Sequence, residues 1–540
     1  GRVDTERGPI VRIWEFDREM ETTWRVDLFV DGPSLFIHPK VVNPSATPLD
    51  AYWWTNIGVK LTDATRVVAP VSYAIDSGAP AGLRKVPFPL FDDCGGNVTF
   101  YPGQDHSYPV RFGDARENFL RNDTKQPLPW MGSVDGLGRG MVHLQDPVLD
   151  GRKFWAWGSD FADMNREQHL SAEGDGIYFE MQAGVAPTQM QTFPFPAKSE
   201  LEWTESVTGF DVSGDESLVG RLHSSEYSVA VDTLDVVRRQ RLAESSFHQV
   251  GEFLRLHSDD PITEVLFHGS PWGALHAKLT GQPVPPGLSF TAASSLDDPA
   301  APFFELVEIG TFSNSSLAAI PRAYAVSPAW VSALVASVAS HGPTWLHNLH
   351  LGIAAHESGQ LEAAQDYYAR AHSLNPYAAL PVRNLAVLAA ANATAALALQ
   401  TQALSLALAE WQEGKIGGAE AVGAIGVELT ALQIAAKSYA ALNATLKQLL
   451  TVPGVGEMDN IRVSRCHEAL TRGDAEGALA LLKGEFPTLH AGNGDLVAMW
   501  YEAHYLIQAK HLKRSLTDID MVRVRRAHPP PPNINFQGAS

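Results

Sequence analysis

Cysteine is nearly absent. The 540-residue chain carries two, Cys94 and Cys466, too few for a disulfide framework. No stretch of about 18 residues is apolar throughout, so no hydrophobic membrane-spanning segment is expected. The closest approach, Ala378 to Leu408, is broken by Pro381, Arg383, Asn384, Asn392 and Gln400 and reads as packed soluble helices. Cations are the minority: 41 Lys and Arg against 61 Asp and Glu leave a net charge of −20. Binding to free nucleic acid needs clustered cations on phosphate, so that partner is excluded. No Walker loop, dinucleotide fingerprint, Gly-x-Ser-x-Gly elbow, His-Glu-x-x-His or Cys-x-x-Cys pair occurs. Neither a cofactor nor a metal site is therefore expected.

What is present is ample core material. Hydrophobic residues make up 45% and charged residues 19% of the chain. That supports two large domains or several smaller ones. The chain begins with Gly, and no signal peptide is visible. Five glycosylation sequons, at Asn97, Asn122, Asn314, Asn392 and Asn443, point toward a secreted or extracellular protein.

The composition changes near residue 325. Nine of the 13 tryptophans precede it. Short alternating segments dominate there, including Trp24-Arg-Val-Asp-Leu-Phe-Val before the Asp31-Gly32 turn, Ser34 to Val42, Gly176 to Gln182, and Glu226-Tyr-Ser-Val-Ala-Val. Many short strands between turns predict a β-sandwich or barrel over residues 1–325. From Ser327-Pro328, a helix-start signal, Ala, Leu and Gln dominate, and residues 326–512 read as helices. Asn348 to Pro376 resembles a tetratricopeptide repeat (TPR). Leu351-Gly352, Gly359 at the turn, Ala364, Tyr368, Ala371 and Pro376 match the motif, while Asn348 and Ala355 replace its large aromatics. Cys466 to Leu482 is a weaker echo, with Gly473 at its turn and Ala478 beyond it. Helix pairs that cannot bury their own apolar faces stack into a solenoid. Residues 513–540 carry Lys513, Arg514, Arg523, Arg525 and Arg526, then Pro529 to Pro532. They read as a solvated basic and proline-rich tail.

An ordered set of motifs in the strand-rich part resembles the family known as domain of unknown function 5107, which is joined to tetratricopeptide repeats. The set is Ala51-Tyr-Trp-Trp-Thr-Asn-Ile-Gly-Val, Thr65-Arg-Val-Val-Ala-Pro, Lys153-Phe-Trp-Ala-Trp-Gly, Gly176-Ile-Tyr-Phe-Glu-Met-Gln-Ala-Gly, Thr188-Gln189 and Trp203-Thr-Glu-Ser. Trp345 through Ala386 continues it into the helices. The resemblance covers most of residues 10–510. It implies a galactose-mutarotase-like antiparallel supersandwich followed by a TPR-like α-helical solenoid, and a carbohydrate ligand. Family members carry a further segment before Arg12, so a processed or partial chain is expected.

Glu180 is the first candidate for chemistry. Alternation in Tyr178-Phe-Glu-Met-Gln182 puts Tyr178, Glu180 and Gln182 on one strand face, with Phe179 and Met181 on the other. A carboxylate there can act as acid or base, with Gln182 and Gln189 on sugar hydroxyls. The bland alternative is a solvent-facing strand side. A glycosidase needs a second carboxylate about 5–10 Å away; Glu205, Asp160, Asp163 and Asp175 are candidates, of which Asp160 and Asp163 are more often ordinary turn acids. Trp53, Trp54 and Asn56 can form a sugar platform. Neighbouring strand residues point oppositely, so at most one of the two tryptophans faces the ligand. Trp155 and Trp157 share a face, although core packing is the commoner fate of any tryptophan. His347 and His350, with Arg383, can line a groove, against the commoner reading of packing histidines. His106 lies in a loop that can cover a cleft.

The family resemblance, the aromatic content and the Glu180 face together predict a carbohydrate-active protein, a glycoside hydrolase-like enzyme with paired carboxylates. A glycan-binding scaffold that meets a protein partner through its repeats is the alternative. A polysaccharide lyase comes third, because a chain of this charge suits an acidic substrate poorly unless a local basic pocket overrides it.

Overall fold

The computed structural model describes residues 1–76, 83–91, 104–112, 115–123, 126–157, 176–291, 298–489, 495–531 and 533–534. These form two compact units. The first holds Gly1–Gly273 with Gln282–Thr291, and the second holds Ala274–Gly281 with the described residues from 298 onward.

The first unit contains two large antiparallel sheets. A nine-stranded sheet runs in the order Arg2–Thr5, Gly8–Asp17, Thr22–Asp31, Ser34–Asn43, Glu205–Asp211, Arg139–Gln145, Trp130–Val134 and Arg66–Val68, and Ser199–Glu202 also pairs with Ser34–Asn43. A six-stranded sheet runs Trp54–Lys60, Tyr178–Gly184, Gly151–Ala156, Arg116–Arg121, Tyr73–Asp76 and Arg84–Pro87. Alternation along each strand sends one set of side chains inward. Phe154, Phe179 and Met181 of the smaller sheet meet Met131 and Val67 of the larger. Trp203 and Val41 of the larger sheet's side meet Ala183 and Trp53.

The far face of the nine-stranded sheet is covered by helices. Phe29, Phe36, Trp130, Leu144 and Phe210 pack there against Leu234, Val237, Phe247, Val250 and Phe253. Tyr227–Arg241 is one of these helices, so the strand character read at Glu226-Tyr-Ser-Val-Ala-Val is corrected. The six-residue window hid a helical spacing: Ala230, Leu234 and Val237 recur at helical intervals and all are buried. The strands of the first unit end at Asp211. The sandwich is therefore shorter than 1–325, and helices already start at Glu216.

The second unit consists of helix pairs. Trp345–Glu357 and Leu361–Leu374 form the expected repeat. Gly359 turns between them at φ 74°. Gly352 lies beneath the Tyr368 ring, where a Cβ would come within 2.6 Å of it. The Leu-Gly of the motif thus sets how closely the two helices approach. Asp459–Thr471 and Ala475–Leu482 form the second pair, turned at Gly473 with φ 76°. Gly418–Ala435 is long and apolar enough to cross a membrane by composition. Its Val422, Ile425 and Leu429 lie in a protein core with Ala403, Leu442 and Leu446. The described part of the expected tail is docked. Met521–Ala527 is helical, with Val524 buried against Tyr501 and Tyr505, and Arg525 Nε donates to Tyr505 Oη at 2.7 Å. An apolar residue among the arginines supplied the anchor that a solvated-tail reading leaves out.

His347 and His350 are core residues of this unit. His347 is bonded to Ser337 Oγ at 2.8 Å and to Thr344 Oγ1 at 2.7 Å, completing the cap of its helix. His350 packs on Phe303 and Phe312. Burial lowers His347 to about 4 and His350 to about 3, against about 6.5 in an unfolded chain. Between these values the unfolded chain takes up protons that the folded histidines refuse. Stability therefore falls as pH drops from about 6.5 toward 4, by about 1.4 kcal/mol per pH unit for each histidine. Urea denaturation followed by helical circular dichroism across that window should show the loss, and His350→Leu should reduce its slope by one proton.

Candidate functional site

Strand register places the sequence candidates on two different surfaces. On the six-stranded sheet, Asn56 pairs with Gln182 and Gln182 with Lys153, while Glu180 pairs with Gly58 and with Trp155, and Trp155 with Glu117. Phe179 and Met181 point into the core and are fully buried, so Tyr178, Glu180 and Gln182 share the outward face. Asn56 Nδ2 donates to Glu180 Oε2 at 2.8 Å, and Gln182 Nε2 donates to the same oxygen at 2.6 Å. Gln189 Nε2 donates to Gln182 Oε1 at 2.6 Å, and the Lys153 ammonium donates to Gln189 Oε1. One network thus brings together Asn56, Glu180, Gln182 and Gln189 of the sequence reading.

Two members were missed. Lys153 Nζ lies 3.2 Å from Glu117 Oε1, so a second carboxylate stands on this face. Glu117 and Glu180 flank Trp155 in register, two strand spacings or about 10 Å apart at Cα. Burial pushes the Lys153 ammonium below its ordinary value, while Glu117 and Glu180 pull it back up. Parity with Trp155 in Lys153-Phe-Trp could have pointed to Lys153. Glu117 carries no local motif and joins the site only through strand pairing.

The aromatics divide as alternation requires. Trp54 lies on the polar face. Its indole covers Gly151 and Gly184, where a Cβ would come within 2.7 Å and 2.4 Å of it. Trp53 lies inward, with its ring centroid 5.4 Å from that of Trp203. Trp155 and Trp157 meet edge to face at 4.3 Å. Three buried polar atoms here have no hydrogen-bond partner: Glu117 Oε2, Trp54 Nε1 and Trp157 Nε1. Buried polar atoms ordinarily are bonded, so these three stand out beneath this face.

Glu205 lies elsewhere. It is fully buried between the sheets, where Oε1 accepts from Thr55 Oγ1 at 2.7 Å and from Trp203 Nε1 at 2.9 Å, and Oε2 is 2.8 Å from His143 Nε2. The structure does not bring Glu205 to Glu180. Asp160, Asp163 and Asp175 lie outside the described residues. His106 is buried against the Phe91 ring at 3.6 Å. Arg383 is paired with Glu428 and lines a cleft of the helical unit with Tyr324, His356 and Tyr368; His347 does not line it. Among the described residues no cluster of three His, Cys, Asp or Glu fit to hold a metal is present.

No family model matches this chain, and no curated protein matches it. Solved structures do. A TPR-domain containing protein from Parabacteroides distasonis aligns over 95% of this chain and 75% of its own, with TM-score 0.55 and 12% identity. A putative aldose 1-epimerase from Klebsiella pneumoniae aligns over 45% of this chain and 58% of its own, with TM-score 0.28 and 12% identity. A thermophilic TPR protein from Thermus thermophilus aligns over 32% of this chain and 89% of its own, with TM-score 0.22 and 15% identity. The first match shows the fold, and the other two are too distant to carry an argument. The fold class is an antiparallel β-sandwich followed by TPR-like helical repeats.

The two carboxylates should separate in a stability measurement. Glu205→Ala strands three hydrogen-bonding partners inside the sandwich and should cost at least about 3 kcal/mol. Glu180→Ala, on the open face, should change stability by less than about 1 kcal/mol. Chemical denaturation of both variants checks the contrast; equal losses would contradict it.

Proposed function

We propose that this is a carbohydrate-active protein that holds a glycan on the outward face of the six-stranded sheet, with Glu180 at its centre. The observation that carries the reading is the Glu180 network. A carboxylate held by the Asn56 and Gln182 amides, beside an aromatic pair, suits a ligand of many hydroxyls and apolar ring faces. The resemblance to the domain of unknown function 5107 family supports the same ligand class. Exposed sequon residues Asn314 and Asn392 support an extracellular site of action.

Hydrolysis is the chemistry this face favours. Glu117 and Glu180 stand on one face with their Cα atoms about 10 Å apart across Trp155, and a hydrolase needs the two carboxyl groups themselves about 5–10 Å apart. In that role one carboxyl protonates the leaving oxygen while the other activates water. Lys153 holds Glu117 in place. The second reading is a glycan-binding scaffold whose repeats engage a protein. The cleft of about 410 Å³ in the helical unit, lined by Tyr324, His356, Tyr368 and Arg383, favours it.

A panel of plant, fungal and bacterial polysaccharides, assayed for binding and sugar release, tests both readings. Wild-type protein should release sugar. Glu180→Gln should lower release by about 10²-fold or more while the protein stays folded. Binding without release, lost in Glu180→Gln, would leave the scaffold reading. Binding and release unchanged by the substitution would overturn the Glu180 site.

A further inference from the structure

On the far side of the nine-stranded sheet from the sandwich interior, a second cleft of about 460 Å³ opens within the first unit. Its floor is the strand pair Arg25 and Lys40, directly opposite in register. Its wall is Pro283, Pro285, Pro286 and Leu288. That wall is held by Arg12, whose guanidinium is bidentate on Asp27 at 2.7 and 2.9 Å and donates to the carbonyls of His257, Asp260 and Gly287. Arg12 and Asp27 are both fully buried, so the wall is tied to the sheet by a closed ion pair.

Arg25 is different. It is 3% exposed, and its Nη1 donates to the Ser258 carbonyl and lies 3.5 Å from Asp259. Its Nη2 and Nε have no hydrogen-bond partner. Asp27, 3.9 Å from Nε, is already taken by Arg12. Lys40 is satisfied, 3.1 Å from Glu200 and 3.3 Å from Asp259. Lys198 completes the lining, held in the left-handed region at φ 52° with its ammonium donating to the Pro44 carbonyl. The cleft thus presents three cations against two carboxylates. Burial lowers Arg25 from its ordinary value, the mark of a charge not fully compensated.

We propose that this cleft binds a single carboxylate carried on a pyranose ring, with the Arg25 guanidinium and Lys198 on the carboxylate and the prolines against the ring. A guanidinium fork fits carboxylate geometry. The surplus of one cation matches a monoanion better than a dianion. The proline wall offers the flat apolar contact that a pyranose or aromatic ring face accepts. The site is independent of Glu180, and it supplies the local basic pocket that an acidic chain needs in order to hold an acidic ligand.

Calorimetric titration of the full chain with D-glucuronate tests this, with D-glucose as neutral control and D-glucose 6-phosphate as dianion. Wild-type protein should bind glucuronate saturably, more weakly at high salt, and more tightly than glucose. Arg25→Gln should weaken binding by about tenfold or more. Lys198→Asn, which keeps a residue tolerant of the left-handed backbone, should weaken it about threefold and guards against misfolding of the first variant. Glu180→Gln should leave it unchanged. Absent glucuronate binding, equal binding of glucose, tighter binding of the phosphate, or affinity unmoved in both cleft variants would overturn the proposal.

Discussion

The carboxylate of Glu205 sits with no solvent access between two sheets and is bonded from both. Trp203 Nε1 and His143 Nε2 reach it from the nine-stranded side, and Thr55 Oγ1 reaches it from the six-stranded side. A buried carboxylate without such partners costs several kcal/mol, so the bonds must form together and in one register. Thr55 therefore points inward. Because side chains alternate, Trp54 and Asn56 on either side of it point outward. Asn56 then meets Glu180, and Trp54 settles over Gly151 and Gly184. A slip of one residue in this strand would bury Asn56 and dismantle the polar face. The interior bond and the outward network are two consequences of one pairing.

Much of this was legible in the sequence, and the failures have a common cause. Alternation in Tyr178-Phe-Glu-Met-Gln182 places the polar triplet correctly, and it divides Trp53 from Trp54. The TPR motif locates its helix pair, because Gly352 and Tyr368 make a contact that only a small residue allows. Information that depends on distant pairing was not legible. Glu205 looks like an available acid until three partners from distant segments are seen to enclose it. Glu117 and Lys153 become neighbours only through the pairing of their strands. Arg25 sits in an ordinary alternating strand, and nothing local shows that Asp259 and the Gln282–Leu288 segment return to line its cleft. Tyr227–Arg241 reads as a strand over six residues and as a helix over fifteen.

The net charge of −20 misleads in the same way. It describes the average surface, whereas recognition depends on local fields. Among the described residues the polar face of the smaller sheet carries Glu117, Glu180 and Lys153 close together. The second cleft carries more cations than carboxylates. The helical unit keeps His347 and His350 buried, with their pKa values lowered, so these two serve packing and capping rather than ligand contact.

Glycan contact is proposed for the outward face of the six-stranded sheet. Hydrogen–deuterium exchange with and without a glycan that binds tests it most directly. Exchange should slow in Trp54–Lys60, Gly151–Ala156 and Tyr178–Gly184, with the helical repeats unchanged. Protection confined to the helical repeats, with those three strands unaffected, would contradict it.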